Sequence, residues 1–165
     1  MQTSYSAKLA PAFAGMKADL RDDVVESNVL EGATPIPFGV GVVKGTANDQ
    51  VKLPSATSDK VTGIAIHTHS YFNQDLSGTA GIPVKGQVNK LRRGECWVVV
   101  ETNVVDGDPV FCRCTAKGGN TQLGRFRNDA DPTAGPVDTA VSVPEAKFRS
   151  TATAGGLALI EINLP

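Results

Sequence analysis

Three cysteines, Cys96, Cys112 and Cys114, are all that the 165 residues contain. So sparse and odd a set cannot form the disulfide framework that holds small secreted scaffolds together. Charge of one sign is missing as well: 16 Lys and Arg face 17 Asp and Glu, a net charge of −1. Phosphate recognition needs clustered basic residues, so nucleic acid is not an expected partner. Blocks of acidic residues that would make a solvating tail are equally absent. No apolar run approaches the roughly 18 residues that cross a bilayer, so no membrane partner is expected. Residues 1–20 lack a continuous apolar stretch ending in a cleavage-like site, and no signal peptide is expected. With unpaired thiols acting as small buried hydrophobes, synthesis in a reducing cytoplasm follows.

Signatures of catalysis are missing too. Serines are numerous, yet none lies in G-x-S-x-G or S-x-x-K. Gly39-Val40-Gly41 lacks the spacing of a phosphate-cradling loop. His67 and His69 are the only imidazoles. An H-x-H on a strand directs both rings to one side, as some metal centres require, but a third ligand is needed. Asp75 and Glu95 stand at no ligand spacing from that pair. Cys112 and Cys114 would share a strand face instead of forming a CxxC turn. The expectation is a protein that is not an enzyme, with no catalytic residue, no cofactor and no metal. His67 and His69 then read as packing or solvent-facing residues at a strand end. Arg92-Arg93 and the Arg125/Arg127 pair read as solvated or interface charges.

Turns and short strands are what the sequence does contain, with 17 Gly and 10 Pro. Residues 1–20 stand apart, mixing small residues with Tyr5, Leu9, Phe13, Met16 and Leu20 at helix-like spacing. Pro11 removes a donor and restricts Ala10, so one continuous helix is not expected there. The apolar and aromatic content predicts an extended N-terminal arm that gains order by docking on something else. From about residue 24 the period is two. Strands are expected over Phe38–Val43, Val61–Ile66, Gly81 to about Lys90, Glu95–Glu101, Val110–Cys114, around Phe126, Ala146–Thr151 and Leu157–Leu164. Lys44–Asp59 reads as a loop, and Arg92-Arg93-Gly94 as a hairpin-like turn. Such spacing, with no long 3.6-residue period, predicts a mainly β, compact sandwich or barrel-like body over residues 21–165, carrying the arm of residues 1–20.

Several segments in order resemble one family. They are the start MQTSYSAKLAPAFAGM, Ile36-Pro37-Phe38-Gly39, Asp49 to Pro54, Gly63-Ile64-Ala65, Leu91-Arg92-Arg93-Gly94 through Trp97 to Glu101, Gly107 to Val110, and Gly155-Gly156 to Pro165. The chain is similar over nearly its whole length to the structural cement, or capsid decoration, proteins of tailed bacteriophages. That resemblance implies a homotrimer on the outer surface of the phage head, located in the virion. Major capsid protein and a second copy of the chain would be its partners, and its role would be to stabilise contacts between capsomers. The arm that would engage the shell matches roughly Gln2 to Met16, with Tyr5, Leu9, Pro11, Phe13 and Met16 as candidate capsid-binding residues. Another virion component with a β body, a tail or head-completion protein, is the alternative reading.

Overall fold

A computed structural model describes residues 12–19, 22–71, 81–132 and 138–165. The strands are β1 (Val24–Leu30), β2 (Ile36–Pro37), β3 (Gly41–Lys44), β4 (Gln50–Lys52), β5 (Val61–Ala65), β6 (Gly81–Ile82), β7 (Gln87–Val99), β8 (Pro109–Arg113), β9 (Phe126–Arg127), β10 (Ala140–Phe148) and β11 (Leu157–Asn163). One short 3-10 turn, His69–Tyr71, is the sole helical element among the described residues. The mainly β barrel-like body expected from the period-two pattern is present.

Nine strands form one sheet in the order β1-β4-β3-β5-β7-β11-β10-β8-β9, and β1 also pairs with β7. That extra pairing closes β1, β4, β3, β5 and β7 into a five-stranded barrel, in which β1 and β4 run parallel. Its interior is filled by Leu30, Phe38, Val40, Val42, Val51, Ala65 and Val88, with Ile36 and Ile82 from the small β2–β6 pair. The remaining strands lie outside the barrel. They enclose a second core between the outward faces of β5 and β7 (Val61, Ile64, Leu91) and Val98, Val110, Phe126, Phe148, Ala158, Ile160 and Ile162.

β7 joins the two halves, and here the structure corrects the sequence reading. Arg92-Arg93-Gly94 is not a turn. β7 runs unbroken from Gln87 to Val99, because its first half pairs with β1 and β5 and its second half with β11. The basic pair marks a bulge instead: Val24 faces Arg93 while Val25 faces Leu91, so Arg92 is an extra residue. An extra residue reverses which face each following side chain occupies. Leu91 and Cys96, of opposite parity, consequently point into the same second core. Gly94 has φ +128°, and a Cβ there would collide with the Asp23 carboxylate. Thr62 is the matching extra residue of β5, since Val42 faces Gly63 and Val43 faces Val61.

The Lys44–Asp59 segment expected to be a loop contains β4, whose Val51 is buried in the barrel. Two side chains cannot advertise a strand by period, and its partners Val29–Leu30 and Val43–Lys44 supply the pairing.

Candidate functional site

The segment Ala12–Asp19 lies against β7. Phe13 to Met16 make a turn closed by the Met16 amide donating to the Phe13 carbonyl at 3.1 Å. Gly15 sits at its third position with φ +81°, the geometry of a type II turn, which glycine alone adopts freely. Beyond the turn the backbone pairs with β7. The Gly15 amide donates to the Trp97 carbonyl (2.7 Å), the Trp97 amide to the Met16 carbonyl (2.9 Å), and the Ala18 amide to the Glu95 carbonyl (3.0 Å). Lys17 faces Cys96 across this pairing, and its ammonium meets the Asp23 carboxylate at 2.5 Å.

The barrel grips the turn from the other side. The His67 amide donates to the Gly15 carbonyl at 2.8 Å. A Cβ on Gly15 would come within 2.8 Å of both the His67 nitrogen and the Phe38 Cβ, and one on Gly39 would come within 2.7 Å of the Gly15 nitrogen. The His67 ring meets Phe13 and Phe38 edge-on at 4.7 and 4.8 Å, and His69 at 5.3 Å. Burial, and then the neighbouring His69, lower the His67 pKa.

Of the candidate arm residues, Tyr5, Leu9 and Pro11 lie outside the described residues. Ala12 is buried, Phe13 is 48% exposed, and Met16 is half-buried against β7. His67 and His69 come together, but no group of three or more His, Cys, Asp or Glu side chains suited to a metal exists among the described residues. The His67 ring packs on Phe13, Phe38 and His69 beside the Phe13–Met16 turn. Cys96, Cys112 and Cys114 are unpaired and buried. Burial pushes Cys96 up to about 12 and raises Cys112 and Cys114 as well, so these thiols behave as small apolar groups.

A buried ionic cluster escaped the sequence reading. Arg113 and Glu101 have fully buried side chains, and Arg113 Nε donates to both Glu101 oxygens at 2.7 Å. Arg113 also donates to Asp131 (2.8 Å), to the Thr139 hydroxyl (3.1 Å) and to the Thr115 carbonyl (3.0 Å). Arg127 reaches Glu101 at 3.4 Å, Asp131 at 2.9 Å and Asp129 at 2.5 Å, while Lys117 reaches Asp131 at 2.8 Å. Burial opposes ionisation of Asp131, but donors Lys117, Arg113 and Thr139 and the Arg127 charge outweigh it and hold its carboxyl well below the ordinary range. Arg127, expected to be a solvated or interface charge, is 5% exposed. The correction has a simple cause: a two-residue edge strand turns its arginine inward when carboxylates wait there. Only the odd position of Glu101 and Arg113 at the ends of apolar strands could have hinted at it.

The described residues thus form a β barrel with an N-terminal segment docked on its wall, buried thiols and a buried ionic cluster. The sequence profile described as "Structural cement protein (E217 gp24/Pam3 gp6)" matches residues 1–163, and the chain belongs to this phage cement family. Its role is therefore that of a capsid-associated structural protein. Its fold is also that of a chain in the solved capsid of Myoviridae phage XM1, at TM-score 0.73 and 15% identity, covering 99% of this chain and 97% of that one. The head fiber gp8.5 N base of bacteriophage phi29 aligns at TM-score 0.42 and 11% identity, over 85% of this chain and 93% of that one. No curated protein sequence matches the chain.

Proposed function

We propose that the protein decorates the outer surface of a phage head as a homotrimer and ties neighbouring major capsid protein capsomers together. The match of the cement family over residues 1–163 carries this reading. The arm supplies the grip. Tyr5, Leu9, Pro11 and exposed Phe13 present apolar contacts to the shell, with Met16 at the root, and an extended segment can add a strand to an exposed sheet edge. Three arms on one closed trimer act together, because each contact after the first is effectively intramolecular. Near-zero net charge suits this, since identical patches meet across protomers without strong repulsion. Three reduced, buried cysteines support synthesis in the host cytoplasm before assembly on the head. The role is mechanical and non-enzymatic.

Purified full-length protein and a deletion of residues 2–16 are to be mixed with heads that lack the protein, sedimented and quantified. The full chain should saturate the heads and the deletion should stay in solution as a folded trimer. Equal binding of the two proteins, or a full chain that stays monomeric on heads, would sink the reading.

A further inference from the structure

Gly15, Gly39 and His67 belong to three separate pieces of chain, and each is fixed by the others. Gly15 requires glycine twice over, by its φ of +81° and by the 2.8 Å approach of the His67 nitrogen and the Phe38 Cβ. Gly39 has φ +74° and admits no Cβ without striking the Gly15 backbone at 2.7 Å. The Gly39 amide itself donates to the Ala65 carbonyl at 2.7 Å, so the seat of the turn is part of the barrel wall. Phe13, although nearly half exposed, is turned onto the His67 ring, which Phe38 braces from behind at 4.8 Å. Such construction exceeds what is needed to fasten a chain end. Backbone pairing of residues 15–18 with β7 alone would hold the segment, yet the chain is also reversed at Phe13–Met16 and clamped on a second element.

We propose that this clamp is a pivot that fixes the direction in which the preceding residues leave the barrel, making Gly15, Gly39 and His67 positioning residues for capsid engagement. The inference rests on the arm reading above. Three arms on one trimer engage together only if each leaves at an angle that meets its own capsid site. An arm that leaves in all directions forfeits that gain while every side chain of the arm remains present. The pivot residues act through Phe13 and the residues before it.

The test uses the full-length protein, with Gly15→Ala, His67→Ala and a deletion of residues 2–11, on heads lacking the protein. Hydrogen exchange reads the amides at positions 15 and 18, which donate to Trp97 and Glu95, and the β11 amides as an internal control. Both substitutions should speed exchange at positions 15 and 18 by about tenfold or more, a local opening that leaves β11 protected. Head affinity should fall by about tenfold or more in the same variants, because the avidity of the three arms is lost. If Gly15→Ala fails to fold, His67→Ala, at a half-buried position, gives the reading alone. Retained protection at positions 15 and 18, or wild-type affinity despite their opening, overturns the pivot. Wild-type affinity of the 2–11 deletion would overturn the arm reading itself, a separate outcome.

Discussion

Glu101→Gln removes one negative charge from the interior while preserving side-chain volume. In the native cluster Arg113, Arg127 and Lys117 are balanced by Glu101, Asp129 and Asp131. After the substitution three cations face two carboxylates, and the fully buried Arg113 exchanges a charged carboxylate, both of whose oxygens accept from its Nε, for an amide with one neutral acceptor oxygen and an opposing NH2 donor. Breaking a buried pair from one side costs about 3–5 kcal/mol, far more than a surface pair. For a chain of this size each kcal/mol lowers Tm by about 2–4 °C, so calorimetry should show a fall of roughly 6–20 °C. Urea titration should give the same loss through the midpoint at unchanged slope. Replacing Glu101 by Leu and Arg113 by Met together should cost clearly less than the two single changes summed, because no orphan charge is left between them. A loss below about 1 kcal/mol for Glu101→Gln would refute the claim that this pair is desolvated and mutually dependent.

Acid should act through the same cluster. Asp131 has its folded-state pKa lowered, so the stability it contributes is full above the ordinary aspartate pKa and drains away as pH falls below it. Asp131→Asn should flatten the decline in stability below about pH 4, and an unchanged acid slope in a pH series of urea titrations would contradict this. Gly41→Ala should destabilise by about 1–3 kcal/mol, because its Cβ would lie 2.6 Å from Cys112 Sγ and 3.2 Å from the Phe126 ring; Cys112→Ala in the same chain should recover part of the loss in urea titration. Native protein at pH 8 should leave all three thiols unreacted with a thiol-specific reagent over hours, and full reaction should follow unfolding. Fast stoichiometric labelling of the native protein would contradict their burial.

Strands with a clean period of two were legible in the sequence. Cys96, Val98 and Val100 fall on one face, and Ala158, Ile160 and Ile162 do the same; the structure buries all six. Apolar alternation reports burial on one face directly, so no other information is needed. Barrel closure was not legible. It depends on the β1–β7 pairing and on the extra residues Arg92 and Thr62, and a bulge has no period of its own. Arg92-Arg93-Gly94 resembled a turn because glycine and polar residues mark both. The ionic cluster was invisible for a related reason: Glu101, Arg113, Arg127 and Asp131 meet only after β8 and β9 pair. In the N-terminal segment Pro11 was readable as an interruption of the helix-like spacing to which Phe13 and Met16 belong, whereas the seat of Gly15 on Gly39 and His67 was not.

The central claim is that this chain cements a phage head from outside, and electron cryomicroscopy of the assembled virion tests it most directly. The account predicts trimeric density on the outer face of the capsid, at junctions between capsomers. The barrel should fit that density, with arm density running from the Phe13–Met16 turn onto major capsid protein. Heads without such density, or the barrel fitted into the tail or the neck, would contradict it.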